Sequence, residues 1–153
     1  MSENQPQKRD ALLALYYEGG SAALFDPIDV VDVPEDLDVR VCEAVLAVSP
    51  ENAEALSFLG TVYTRRGEYQ RGLDLDLRLV RLRPLSPRVH YNLACSYALL
   101  GRPDEAFESL SRSVEYGFGD VDHLEKDEDL NSLHDDPRWL SILEQLRPTE
   151  KPE

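Results

Sequence analysis

The sequence is poor in the residues that staple, ligate and anchor. Cys42 and Cys95 are its only cysteines. They lie far apart and form no CxxC pair, so neither a disulfide framework nor a cysteine-based zinc site is expected, and buried, reduced thiols of a cytoplasmic protein are the default reading. The three histidines, His90, His123 and His134, do not share a spacing that would hold a metal on one helix face. No apolar run approaches the length of a membrane span. The polar start, Met1 to Asp10, is followed only by Ala11 to Tyr17, which Glu18 and two glycines break, so no signal peptide is read there. Positive charge is scarce: 16 Lys and Arg stand against 30 Asp and Glu, for a net charge of −14. Such a surface repels phosphate backbones and anionic lipid, which argues against nucleic acid and membranes as partners and accommodates a basic or neutral protein segment.

Catalytic constellations are missing too. There is no glycine-rich phosphate loop and no Ser-His-Asp signal, and Cys95 has no activating base beside it in the chain. Asp127, Asp129 and Asn131 have the opening spacing of a calcium loop. Ser132, however, stands where a glycine must make the sharp turn, and Arg138 where a bidentate Glu must close the site. No enzyme, metal or cofactor is expected.

What is present is a repeat. Hydrophobic residues make up 42% of 153 residues, enough for one folded domain. Within it, positions 34 apart agree: Leu59 with Leu93, Gly60 with Ala94, Tyr63 with Tyr97, Gly67 with Gly101, Gly72 with Ala106, Pro50 with Pro84. These fall where a helix–turn–helix unit needs them. Small residues permit close helix approach, the tyrosine fills the space beside it, a glycine ends the first helix and a proline ends the second. Ala53 to Ser86 and Pro87 to Asp120 are the two clear units. Glu35 to Val48, with Val39, Cys42, Val45 and Leu46 on one face, reads as the second helix of a degraded earlier unit (residues 9–52) whose first helix is Arg9 to Tyr17 and which carries an insertion at 21–34. One local signal disagrees. Leu73 to Leu82 reads LDLDLRLVRL, alternating like a strand. The repeat frame makes it a helix with two apolar faces, Leu73, Leu77 and Val80 on one, Leu75, Leu79 and Leu82 on the other.

In these spacings the chain resembles the tetratricopeptide-repeat family. The resemblance implies an all-α helix–turn–helix solenoid of about two and a half repeats. Asp76 departs from the family pattern, standing where an aromatic is usual. The segment Glu115 to Leu143 resembles a bacterial element that closes groups of such repeats. Residues 121–147 are therefore expected to cap the array, with Asp136 capping a last helix, Pro137 at its first position, and Trp139, Ile142, Leu143 and Leu146 on its apolar face, ahead of a disordered tail at 148–153.

The resemblance also implies where a partner would sit. The first helices of the repeats line a concave groove, and the positions carried over are Glu54, Ser57, Thr61 and Thr64, then Arg88, Tyr91, Asn92, Cys95 and Ala98. Tyr91 and Asn92 are expected near its centre, with Arg65 and Arg88 supplying positive charge. Relatives that grip the acidic tails of heat-shock chaperones need a lysine and an asparagine where this chain has Ser57 and Thr61. The reading is a non-catalytic adaptor for a peptide or helix of another protein. A chaperone for secreted proteins of the type III kind is the alternative, and an enzyme ranks last.

Overall fold

The computed structural model describes residues 35–147, with side chains from Asp38 onward. From Val39 the chain forms one compact unit. The expected helix at 9–17, the insertion at 21–34 and the tail at 148–153 lie outside the described residues. Among the described residues seven α-helices succeed one another: α1 (Glu35–Val48), α2 (Ala53–Arg65), α3 (Tyr69–Leu82), α4 (Pro87–Leu99), α5 (Pro103–Glu115), α6 (Val121–Lys126) and α7 (Pro137–Leu146), with a 3-10 turn (Glu128–Leu133) between the last two. Among the described residues there is no strand, and no helix is long and apolar enough to cross a membrane.

The helix boundaries repeat. Asn52, Ser86 and Asp120 stand 34 apart, and each caps the helix after it. Their side-chain oxygens accept from the backbone N–H of Ala55 at 2.9 Å, Val89 at 3.4 Å and His123 at 2.9 Å, satisfying donors that the first helical turn leaves open. Gly67 (φ 77°) and Gly101 (φ 68°) take the left-handed turn after α2 and α4. Pro103 and Pro137, again 34 apart, open α5 and α7. Gly72 sets how closely α2 and α3 cross, because a Cβ there would come within 2.7 Å of Thr64 Oγ1.

The alternating segment is helical. Leu73 and Leu79 are fully buried, Leu75 nearly so, and Leu77, Val80 and Leu82 half-buried, while Gln70, Arg71, Asp74 and Arg81 face solvent. α3 packs on both α2 and α4, and a helix held between two neighbours needs apolar residues around most of its girth.

Three helix contacts carry an arginine over a ring. Arg71 lies 3.9 Å from the Tyr63 ring centre, Arg102 4.8 Å from that of Tyr97, and Arg138 4.4 Å from that of Phe107. At equivalent places of the two repeats the ion pair that holds the arginine has its signs exchanged: Glu68 with Arg71, Arg102 with Glu105. Tyr63 further donates to Glu43 of α1 at 2.9 Å and accepts from Arg71 at 2.8 Å. These exposed pairs orient side chains more than they stabilise the fold.

One hydrophobic core cluster runs from α4 to α7. Ala94, Ala106, Phe107 and Leu110 of the second repeat pack with Leu124, Leu130, Leu133, Trp139, Ile142 and Leu143 of the closing segment. The closing segment packs on the second repeat, with Asp136 accepting from Arg138 N at 2.9 Å and Trp139 buried at 5% exposure. α6 and α7 begin where a third repeat would begin its two helices, but the first of them breaks after Lys126 into the 3-10 turn, which folds back on α4.

Candidate functional site: the concave face

The first helices of the two repeats, α2 and α4, carry the expected groove positions. Register places Ser57 opposite Tyr91 and Thr61 opposite Cys95, each pair 34 apart. Ser57 and Thr61 are half-buried. Both side chains are small and polar, and the Thr61 hydroxyl is held to the helix by donating to the backbone carbonyl of Ser57 at 3.1 Å. Arg65 is exposed at the end of α2. Arg88 is exposed in the first turn of α4 and Asn92 half-buried one turn on.

Tyr91 and Cys95 are in a different situation. The chain's own closing segment covers them. Tyr91, 5% exposed, stacks on Phe118 with ring centres 4.6 Å apart and planes 16° from parallel. His123 tilts against it at 5.4 Å, and its hydroxyl donates to Asp127 Oδ2 at 2.6 Å. Cys95 Sγ lies 3.8 Å from the same oxygen, and Ser132 Oγ donates to the Ala98 carbonyl at 3.4 Å. Sequence register alone puts Tyr91 at the groove centre. The connector from Phe118 to Ser132 takes that place instead, because α4 offers it an aromatic face, a hydroxyl and a carbonyl.

Asp127 is the pivot of this seal. One carboxylate oxygen receives Tyr91 and Cys95, and the other caps the 3-10 turn by accepting from Asp129 N at 3.0 Å. Burial pushes the Tyr91 phenol up, with Cys95 and Asp127 adding to it. The Cys95 thiol is likewise held well above its ordinary value, by burial first and then by Asp127, Asp129 and Asp76. Asp129 is raised by burial and by the neighbouring charges of Asp127 and Glu128. A buried, firmly protonated thiol is the reverse of what a nucleophile needs. Cys95, Asp127 and Asp129 are the one group of three metal-capable side chains among the described residues, with ligand atoms within 4.8 Å of one another. Both Asp127 oxygens already have partners, one Tyr91 and Cys95, the other Asp129 N. Cys42, the other cysteine, is a buried thiol as well.

The anchors of this seal, Phe118, His123 and Asp127, were legible as parts of the closing segment but not as groove-fillers. A signal for it was available in the continuing period: Asp120 and Pro137 keep the 34-residue register of the helix starts, which lays the connector against α4 as a shortened third repeat.

No family model matches the chain. Over 70 residues, 45% of its length, it is 33% identical to the TPR repeat-containing protein YvcD of Bacillus subtilis (strain 168), and this match spans 14% of that protein. Among solved structures it is similar to a mutant O-GlcNAc transferase of Thermobaculum terrenum, at 26% identity and a TM-score of 0.55, over 76% of this chain and 21% of that one. It is also similar in fold to the MamA RS-1 ArsTM double mutant, at 17% identity and a TM-score of 0.60, over 97% and 89% of the two chains. With the 34-residue register and the helix geometry above, these likenesses give the fold: over the described residues the chain is an all-α solenoid of the tetratricopeptide-repeat type, with α2–α3 and α4–α5 as its two regular helix pairs. Such a fold suits a protein–protein interaction scaffold.

Proposed function

We propose that the chain is a non-catalytic adaptor that holds a peptide or helix of another protein on the concave face, and that it does so on the half formed by α2. The carrying observation is the contrast at equivalent positions. Tyr91 and Cys95 are covered by the connector, whereas Ser57 and Thr61 are half-buried and carry small side chains over which a partner can lie. Arg65, Arg88 and Asn92 border that half; an arginine beside small polar residues supplies the directional contacts on which binding energy concentrates. Tyr91 and Cys95 then shape the floor and end of the groove without touching the partner. The charge of −14 favours a basic or neutral segment over nucleic acid or an acidic membrane. The two buried thiols suit the reducing cytoplasm.

The test is affinity capture from the native cell with the full chain and with Thr61→Arg, which fills the open half without entering the core. A partner held by the native protein and lost by a folded Thr61→Arg variant supports the reading. Equal capture by both moves the docking surface off this face.

A further inference from the structure

The concave face does not account for Asp76. It lies on α3, is 5% exposed, and sits where α2, α3 and α4 meet. One carboxyl oxygen accepts from Ser96 Oγ of α4 at 2.6 Å. The other lies 3.3 Å from where a Cβ on Gly60 of α2 would be, so it occupies space that this glycine leaves free. Ser96 itself is 1% exposed. The second repeat is an internal control. At the places of Gly60 and Asp76 it has Ala94 and Leu110, and at the place of Ser96 the cap has Leu130, all buried at 1% or less. One joint of the array is filled with leucine, and the equivalent joint with a carboxyl and a hydroxyl.

We infer that Asp76 is a proton-operated joint between the two repeats: uncharged, its carboxyl stays buried where α3 meets α4, and on losing its proton the unpaired charge, which one hydroxyl does not offset, favours opening to water and the joint loosens. A buried carboxylate needs a cation or several donors to offset its lost hydration. Among the described residues Asp76 has neither. Burial raises its pKa from 3.8 to about 7, the Ser96 hydrogen bond opposes this, and no cation contributes. The other titratable group that feels it is Cys95 of α4, whose thiol stays neutral throughout this range. From α2 the near neighbour is Gly60, which carries no charge. Linkage fixes the sign. Below the ordinary value of 3.8 the folded and unfolded chains both hold the proton. Between 3.8 and about 7 only the folded chain holds it, so stability falls as pH rises, and above that it levels off at its lowest. The joint is therefore tightest in mild acid and loosest above neutrality.

The experiment compares denaturant unfolding of the native chain and Asp76→Asn between pH 5 and pH 8. Asn keeps the shape and the Ser96 contact but cannot ionise. Relative to the variant, the native folding equilibrium should weaken by up to about tenfold per pH unit across the window below neutrality. Amide exchange in α3 and α4 should accelerate with pH more in the native chain than in the variant, with α7 showing no such difference. Parallel stability curves for the two proteins would overturn the inference. If the variant does not fold, carbon-13 titration of aspartate carboxyls in the native chain decides. A midpoint near 7 for Asp76 supports the joint, and one below 5 removes it. Neither readout depends on a captured partner, so the result stands apart from the docking reading.

Discussion

Ser57 and Tyr91 hold the same place in successive repeats, as do Thr61 and Cys95, yet the first pair is half-buried and the second is closed off. The two helices α2 and α4 start from equivalent caps and end in equivalent glycine turns, so the difference does not arise within the repeats. It arises from the closing segment. Behind α4 comes a connector whose Phe118 stacks on Tyr91 and whose Asp127 receives the phenol. Whether a groove position binds a partner or belongs to the core is decided by its neighbours in space, not by its place in the repeat.

The largest expected effect comes from removing the closing segment's anchor. Trp139→Ala should cost about 3–5 kcal/mol, a sizeable share of the stability of a domain this size, read as a lowered denaturant midpoint. Deleting everything after Gly119 should go further and expose Tyr91, Cys95 and Phe107, giving an earlier melt and self-association. A truncated chain as stable as the native one and no more prone to associate would dissolve the contrast between an open and a sealed half.

A subtler break targets the seal alone. Tyr91→Phe keeps the stack on Phe118 and removes one hydroxyl, leaving the half-buried Asp127 short of a donor. That should cost about 1–3 kcal/mol. Tyr63→Phe loses a hydroxyl that lies among the exposed Glu43 and Arg71 side chains, and should cost less than about 1 kcal/mol. Equal losses in the two variants would mean that Asp127 does not depend on Tyr91.

The helix starts should behave alike in both halves. Asn52→Ala and Ser86→Ala each remove a cap at the same register position and should cost about 1 kcal/mol apiece, measured by thermal melting. A marked inequality would show that the repeats are not equivalent even at their boundaries.

The smallest stability effect is expected on the open half. Thr61→Arg should stay within about 0.5 kcal/mol of the native chain while weakening capture of the partner. Cys95→Arg, at the equivalent position, should fail to fold stably, because it puts a charge under the connector beside Leu130 and Leu133. The pair of variants asks one question of one repeat position in two surroundings.

Much of the fold was legible from spacing alone. Glycines at 67 and 101, small residues at 60, 72, 94 and 106, and tyrosines at 63 and 97 each answer a local demand of helix geometry, and local demands leave periodic marks. The period also overruled the strand-like alternation of Leu73 to Leu82, because a helix buried on two sides mimics alternation over ten residues. The candidate site was less legible. Tyr91 reads as a binding residue by type and position, and its burial depends on Asp127, 36 residues further along the chain. Side-chain chemistry marked Phe118 and Asp127 as parts of a cap but carried no sign of which helix they would reach.

By itself the sequence determined the helices of the two repeats, their register, the cap of the last helix and its apolar face: the cap and the face depend on residues within one or two turns of one another, and the register on a 34-residue period that recurs along the chain. Tertiary structure alone decided that Ser57 and Thr61 stay half-buried while Tyr91 and Cys95 are covered, that Tyr91, Cys95 and Asp127 form a closed unit, and that Asp76 is a buried carboxyl with a single hydroxyl partner. Those outcomes turn on which surfaces meet across 20 to 36 residues of chain. Burial, the quantity that fixes a side chain's charge and availability, has no value until they do.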